Sequence, residues 1–407
     1  MFDEVCLTIC CFALSVIVKN IISALEFTAQ FRKPAKEVFE IYTKEENEKA
    51  CKYQQAKMKF SIFSCTMNFL KDAFMIYKIN CFYTCLEKYE QFISRDISLF
   101  LVFSLVDSLF NIPLHIYYDF VLEDSFGFNK KTMGTFIYDF FAMNLINLIL
   151  MTPLLKVIIY CISNFKNFYI FVGTSVILFE LFVILIYPNF IAPIFNKFEK
   201  MDETSDLYKN VCLLAKKVNF NVQSILVMDG SKRSAHSNAY FIGFGKNKKI
   251  VFYDTLLNQS KSDQQILAVL CHEFGHFVHS HIWKSMFLHS IMIFSKLYIF
   301  NLMFHSMDGP ISVKILNFST LISPLMLITT LLFNVFSRKN EKEADMFALE
   351  FGYGEHLLQA LKTLAKTNSS TLTHNYLYSL IKHSHPPVIE RIGIIKAEIA
   401  ERAKKEK

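Results

Sequence analysis

The segment 272–276, HEFGH, carries the residue types of a metal-dependent hydrolase. On an α-helix, His272 and His276 stand at positions i and i+4, one above the other, so both imidazoles can reach a single Zn²⁺ ion. Glu273 lies beside them, where its carboxylate can take a proton from a metal-bound water. A chain with 12 histidines would contain this pattern by chance only about 0.02 times. The sequence therefore predicts a zinc site.

A catalytic zinc site needs a third protein ligand and an open fourth position. His279 lies well along the same helix from His272, about 10.5 Å of helix rise, so its ring cannot reach the same ion with a bond of about 2.1 Å. His281 and His289, further along the chain, are no better placed as ligands. We therefore expect the third ligand to come from another segment.

A downstream segment offers two acidic residues at helical spacing. Glu341 and Asp345 are at positions i and i+4 of a helical pattern that follows the last apolar run, so both can face the zinc helix. Glu341 would then bind the metal, and Asp345 would hold the second ring nitrogen of a ligand histidine. The same spacing is equally typical of a charged, solvated helix face, so on its own it leaves both interpretations open.

The polar segment 196–284 must position the HExxH motif, and its pattern mixes helix and strand. Helical spacing covers 206–218. Three short apolar runs predict strands, the last two joined as a hairpin across 245–248: 224–228, 239–244 and 249–253. Ser262 followed by Gln265 is a capping-box pattern, which predicts the start of a helix. The apolar pattern of this helix continues to His281, so the motif lies inside it.

Long apolar runs dominate the rest of the chain. Of the 407 residues, 53% are hydrophobic and only 19% charged, which excludes a disordered chain and a small disulfide scaffold and is unlike a wholly soluble protein. A transmembrane helix needs about 20 mainly apolar residues. Seven runs qualify: 5–25, 61–83, 97–122, 136–162, 168–190, 285–304 and 313–336. The sequence therefore predicts a polytopic, all-α membrane protein with a soluble part.

Basic residues in the loops predict the orientation of these spans. They concentrate in the first and third loops, and the second and fourth loops hold few, so the amino terminus is expected outside and the carboxyl terminus in the cytosol. The basic residues that give the net charge of +7 lie mostly in loops beside apolar runs. The charge therefore gives no reason to expect nucleic acid binding. Four regions are expected: five transmembrane helices (1–195), a cytosolic segment with the HExxH helix (196–284), two more transmembrane helices (285–337) and a cytosolic segment with the third ligand (338–407).

Several predicted spans contain charges that lipid would not tolerate. Glu180 lies near the middle of its run, Asp107 lies in the third run, and Lys71 and Asp72 interrupt the second. Such residues usually face the interior of a helix bundle or a wet cavity. We therefore expect a polar interior at Glu180 and Asp107.

HEFGH together with the later NEKEADMFA, which begins at Asn340, resembles the M48 family of membrane metalloproteases. Further segments match its type I CAAX prenyl protease branch: FGFN at 126–129, SNAYF at 237–241, IVFYDTL at 250–256 and SHPPVIER at 384–391. The likeness runs from the first span almost to the carboxyl end. A trimmed loop at 306–312 departs from the pattern of the branch.

This resemblance implies the metal site and the fold. One Zn²⁺ per chain would be held by His272, His276 and Glu341, with Glu273 as catalytic base and Asp345 in an acid or supporting role. The fold class would be an all-α polytopic membrane protein. About seven transmembrane helices would enclose a wet chamber, with a cytosolic metalloprotease domain that contains a small β-sheet.

The resemblance also implies residues that meet the substrate. His385 and Arg391 would lie around the scissile carbonyl or the end of the substrate. Asn238, at the start of an edge strand, would bind the peptide backbone while the strand pairs with the substrate. The residues alone favour a different interpretation, in which His385 is only a helix-start residue ahead of two prolines.

The activity of the family is removal of the last three residues from prenylated C-a-a-X proteins, and some members cut a second, upstream site. The expected partners are such proteins and membrane lipid, without nucleic acid. The expected location is the endoplasmic reticulum membrane, with the nuclear envelope as a further location. Lys404 and Lys405 resemble a dilysine retrieval signal. Two alternatives are a quality-control membrane protease of the same clan and a non-catalytic seven-helix scaffold with a structural zinc.

Overall fold

The computed structural model describes residues 2–236, 238–242 and 248–405, and it is mostly helical. The amino-terminal half consists of long helices: α1 (Phe2–Ala29), α2 (Lys44–Tyr77), α3 (Ile79–Cys85), α4 (Arg95–Tyr117), α5 (Met133–Asn164), α6 (Phe168–Ile186) and α7 (Ala192–Phe195). π-Helical turns extend α4 to Glu123 and α6 to Ile191. α1, α4, α5 and α6 are long and apolar enough to cross a membrane, as predicted.

The predicted span at 61–83 falls on the second half of α2 and on α3. Among the described residues these helices do not pass the same test of length and composition, because Lys71 and Asp72 interrupt the apolar run. Lys71 pairs with Asp107 on α4, and its ammonium nitrogen lies 3.1 Å from an Asp72 oxygen. The charges in this part of the membrane region therefore meet partners across helix boundaries.

The polar middle segment contains a four-stranded sheet and the HExxH helix. Its elements are β1 (Phe198–Lys200), α8 (Asp206–Lys217), β2 (Val222–Met228), β3 (Ala239–Ile242), β4 (Lys248–Tyr253), α9 (Asp254–Gln259) and α10 (Asp263–Val278). The strand order is β1-β2-β4-β3, with β2 and β4 parallel and the other pairs antiparallel. The three predicted strands and the antiparallel hairpin pair are present. The end of the second run, at 243–244, and most of the predicted turn, 245–247, lie outside the described residues.

The helix α10 begins where the sequence predicts but is capped differently. The Ser262 side chain makes no capping hydrogen bond, so the predicted capping box is wrong. The Gln265 side chain accepts instead from the backbone N–H of Lys261, at 3.3 Å. The helix also ends at Val278 rather than His281, because Ser280 has a left-handed backbone with φ of 56°.

The carboxyl-terminal part adds α11 (His281–Met303), α12 (Ile311–Leu321), α13 (Ser323–Glu350), α14 (Gly354–Thr367), α15 (Tyr376–Lys382) and α16 (Val388–Lys405). In the described residues α11 is the fifth helix that can cross a membrane, and α12 with α13 forms a sixth candidate, bent by 60°. The predicted single run at 313–336 is thus broken at Ile322, where Pro324 in the next turn cannot continue the helical hydrogen bonding. Lys404 and Lys405 belong to α16, whereas 406 and 407 lie outside the described residues.

One apolar core joins the two polar segments. It is built from α8, α10, the sheet, the end of α13, α14 and α16, with Phe252, Phe274 and Ile395 completely buried. The chain between α1 and α2 packs on this core through Val38 and Tyr42. α13 runs without a break from its apolar half into this core. The first loop and both polar segments therefore lie together at one end of the membrane helices.

Candidate metal centre

Two helices, α10 and α13, approach closely enough to bring the predicted ligands together. A Cβ atom added to Gly275 would lie 2.9 Å from the Cα atom of Ala344. Only a glycine at this position allows the two backbones to come so near. Glu341 lies one turn before Ala344 on α13, so the close approach places its carboxylate over the histidines of α10.

Three side chains converge on one point. The Nε2 atoms of His272 and His276 are 3.2 Å apart. The Glu341 carboxylate lies 3.5 Å from Nε2 of His272 and 3.1 Å from Nε2 of His276. One ligand atom from each of the three falls within 4.8 Å of the others. Two imidazole nitrogens and a carboxylate oxygen are the donor set of a catalytic zinc site with an open position.

The Glu341 carboxylate provides a test of whether a metal fits. Its Oε2 atom is buried and makes no hydrogen bond, although Nδ1 of His385 lies 2.8 Å away. A buried carboxylate oxygen without a hydrogen bond is costly. A cation held between this carboxylate and the two histidines would satisfy it, so the residues fit a metal ion.

Asp345 and Arg391 lie on the Nδ1 side of the His272 ring, away from the point where the three side chains converge. The Asp345 carboxylate lies 2.9 Å from Nδ1 of His272, so the Nε2 atom is left to face the centre. Arg391 donates two hydrogen bonds to Asp345, at 2.9 and 2.6 Å. Burial and the Arg391 charge lower the pKa of His272, but hydrogen bonds with Asp345 and Glu341 outweigh them and raise it to about 9.

Arg391 is mostly buried, at 12% side-chain exposure, and is occupied by acidic partners. Burial acts to lower the pKa of its guanidinium, but the Asp345 charge raises it above the usual value. One guanidinium nitrogen also lies 3.7 Å from Glu341. The structure thus places Arg391 beside the candidate metal centre, in contact with Asp345, whereas His385, at 65% side-chain exposure, is open to an incoming molecule.

Glu273 faces a cavity beside the three ligand candidates. The cavity has a volume of about 900 Å³ and lies between α10, α11, α13 and β3. Glu273 and His276 form part of its wall, together with Tyr240 and Phe241 of β3. A carboxylate next to the metal ligands in an accessible cavity is positioned for general base chemistry.

Asn238 lies exposed at the start of β3. Its side-chain oxygen accepts from the N–H of Ala239 at 2.9 Å, and its backbone carbonyl accepts from the N–H of Tyr253 at 3.1 Å. β3 pairs with β4 along one side and is at the edge of the sheet formed by the described strands. Its other side can add an extended peptide. Ser237, within the same predicted motif, lies outside the described residues.

Two residues at the site escaped the sequence reasoning as contributors, His281 and Glu343. The sequence offers His281 only as a poorly placed metal ligand, and no pattern in it singles out Glu343. In the structure Nδ1 of His281 lies 2.9 Å from Nδ1 of His276, and its Nε2 atom lies 3.0 Å from Glu343. Spacing along a continuous helix gives no signal for this contact, because it depends on the break at Ser280.

Comparison with known proteins finds a family and relatives to which this chain is similar. Residues 25–197 match the family described as CAAX prenyl protease N-terminal, five membrane helices, and residues 202–399 match peptidase family M48. The CAAX prenyl protease 1 homolog of Dictyostelium discoideum is 34% identical over 382 residues, 88% of each chain. CAAX prenyl protease 1 of Saccharomyces cerevisiae is 32% identical over 384 residues, 84% of each chain. The crystal structure of S. mikatae Ste24p superposes with a TM-score of 0.89 and 28% identity, covering 96% of this chain and 98% of that one.

Proposed function

We propose a function from the family to which this chain belongs, the type I CAAX prenyl proteases of peptidase family M48. The chain is a multi-pass membrane metalloprotease. Its substrates are prenylated proteins, from which it removes the last three residues of a C-a-a-X sequence. The observation that carries this proposal is the convergence of His272, His276 and Glu341 next to a cavity whose wall includes His276 and Glu273.

The metal in this proposal is one Zn²⁺ per chain, held by His272, His276 and Glu341. When bound, it supplies a Lewis acid that polarises the scissile carbonyl and lowers the pKa of a bound water to about 7. Asp345 keeps the ring of His272 oriented, and Arg391 keeps Asp345 ionised. The ligand helices need no further movement, because α10 and α13 are already in contact at Gly275.

Glu273 carries the proton in the proposed reaction. Its carboxylate takes a proton from the attacking water and gives it to the departing amine of the first removed residue. His385 lies within 2.8 Å of Glu341 with most of its ring exposed. From there it donates a hydrogen bond to the oxygen that becomes negative as the tetrahedral intermediate forms.

The edge strand β3 holds the substrate in an extended form. Backbone groups of β3 pair with the substrate backbone, and Asn238 binds it where the strand begins. The cavity between β3 and α11 is lined with aromatic and aliphatic side chains, including Phe277, Trp283 and Met286. Apolar walls suit the two aliphatic residues of a C-a-a-X sequence.

We place the catalytic end of the molecule in the cytosol, at the endoplasmic reticulum membrane. The basic first loop packs on the core that carries the HExxH helix, so the positive-inside tendency assigns the same side to both. Prenylated proteins reach the membrane from that side. The lysines near the carboxyl end are consistent with retrieval to this compartment.

The test uses purified full-length protein in detergent and a farnesylated C-a-a-X peptide, with product masses read directly. We expect release of a tripeptide and no cleavage of the same peptide without the farnesyl group. Glu355→Gln, an exposed acidic residue on α14, is the matched control for Glu273→Gln and should retain full activity. Equal cleavage of both peptides would favour a quality-control protease, and cleavage of neither would overturn the proposal.

A further inference from the structure

The ligand His276 has a ring nitrogen that the metal does not use. Its Nε2 atom faces Glu341 at 3.1 Å and is the atom offered to the centre. Its Nδ1 atom points away and lies 2.9 Å from Nδ1 of His281. His281 is 3% exposed, so its side of this contact is almost completely buried.

A break between two helices creates this contact. On a continuous helix, five residues turn the chain by about 500°, so His281 would point about 140° away from His276. The left-handed backbone of Ser280, with φ of 56°, ends α10 and starts α11 in a new direction. The first residue of α11 is then folded back over the last turn of α10.

The far side of His281 is held by the same helix that supplies the third ligand. Nε2 of His281 lies 3.0 Å from the Glu343 carboxylate. Glu343 follows Glu341 by two positions, about 200° around α13. α13 can therefore direct Glu341 towards α10 and Glu343 towards the start of α11.

We propose that His281 and Glu343 form a positioning relay that fixes the ring of His276 for the metal, and this inference rests on the proposed zinc ligand set. With Nε2 of His276 on the metal, its Nδ1–H donates to Nδ1 of His281. The Nε2–H of His281 then donates to Glu343, so each ring carries one proton and both are neutral. Hydrogen bonds of this kind set the tautomer and the ring orientation of metal-binding histidines.

The relay completes a pattern on α13. Asp345 holds the second nitrogen of His272 directly, at 2.9 Å. Glu343 holds the second nitrogen of His276 through one additional imidazole. Acidic residues of α13 thus orient both ligand histidines of α10, and the relay ties the metal centre to the first turn of a membrane-spanning helix.

The experiment measures Zn²⁺ affinity of the full-length protein in detergent by competition with a chromogenic chelator, without substrate. We expect His281→Ala and Glu343→Ala to weaken binding about 10- to 100-fold. Glu343→Gln keeps an acceptor for His281 and should recover most of the affinity. His289→Ala is the matched control, because His289 lies on the same helix and also contacts a glutamate on another helix, Glu180, at 3.2 Å.

Thermal unfolding of the metal-free variants separates positioning from a merely structural role. Glu343 is 34% exposed at its side chain, so Glu343→Ala should leave this melting temperature unchanged and carries the test even if His281→Ala fails to fold. If Glu343→Ala bound zinc as tightly as wild type, the relay would be overturned. It would also be overturned if His289→Ala lost as much zinc affinity as Glu343→Ala. A wild-type protein that binds no zinc would instead refute the ligand set of the proposed function.

Discussion

The contact between α10 and α13 at Gly275 allows one prediction to be worked out in detail. Alanine at this position would put a methyl carbon 2.9 Å from the Cα atom of Ala344 and 3.1 Å from the Cβ atom of Phe347. Non-bonded carbon atoms prefer about 3.5–4.0 Å, so the helices would have to separate by about 0.6–1.1 Å. Overpacking of this kind costs about 1–3 kcal/mol of unfolding free energy.

The same displacement reaches the proposed metal ligands. Glu341 lies one turn from Ala344, so its carboxylate would move with α13, away from His272 and His276. Metal–ligand distances tolerate changes of only about 0.2 Å, several times less than the expected separation of the two helices. We therefore expect Gly275→Ala to lower zinc affinity at least as much as loss of a supporting hydrogen bond, about 10- to 100-fold.

Zinc competition and thermal unfolding in detergent measure the two effects, and Gly393→Ala is the matched control. Gly393 is an exposed glycine inside α16, and an added Cβ there meets nothing within 4 Å. The control should gain about 0.5–1 kcal/mol from helix propensity and keep its zinc affinity. If Gly275→Ala instead behaved like Gly393→Ala in both assays, the reasoning about the helix contact would be refuted.

Three further predictions concern buried polar groups. Asp345→Asn removes the anion that orients His272, so zinc affinity should fall about 10- to 100-fold in chelator competition, and an unchanged affinity would argue against that role. Glu26 is completely buried and accepts hydrogen bonds from Gln30 just after α1, from Gln54 on α2 and from the chain before α15, including one at 2.8 Å from His374. Glu26→Leu leaves these donors unpaired and should lower the unfolding free energy by about 3 kcal/mol or more, and a melting temperature equal to wild type would contradict this. Burial, with the nearby charge of His374, lowers the pKa of His383 to about 4. Because the unfolded chain then takes up the proton first, stability should decline as the pH falls from about 6.5 towards 4. His383→Asn should flatten that decline, and parallel melting curves for the two proteins would refute the assignment.

The sequence predicts the elements around the site well because their signals are local. The i, i+4 histidines, the short apolar run of β4 and the apolar runs of α1, α5 and α6 are each encoded within one short window. The proposed third ligand is different. Glu341 lies far along the chain from His276, and the spacing of Glu341 and Asp345 also fits a solvated helix face, so only the packing of α13 on α10 favours Glu341 as a ligand.

The features that sequence reasoning missed depend on backbone geometry between elements. Ser280 adopts a left-handed conformation that serine rarely takes, so nothing in its identity signals the end of α10. The bend at Ile322 turns one predicted span into two helices, although Pro324 gave a local signal for it. The partner of Arg391 could not be foreseen, because the contact with Asp345 joins α16 to α13.

The most direct test of the central claim compares wild type with Glu273→Ala for zinc content and hydrolysis of a farnesylated C-a-a-X peptide in the same preparation. The account predicts about one zinc per chain in both proteins, tripeptide release by wild type, and loss of that release in Glu273→Ala. Continued release by Glu273→Ala with its zinc retained would contradict the role given to Glu273, and loss of zinc from Glu273→Ala would contradict the ligand set that leaves Glu273 out.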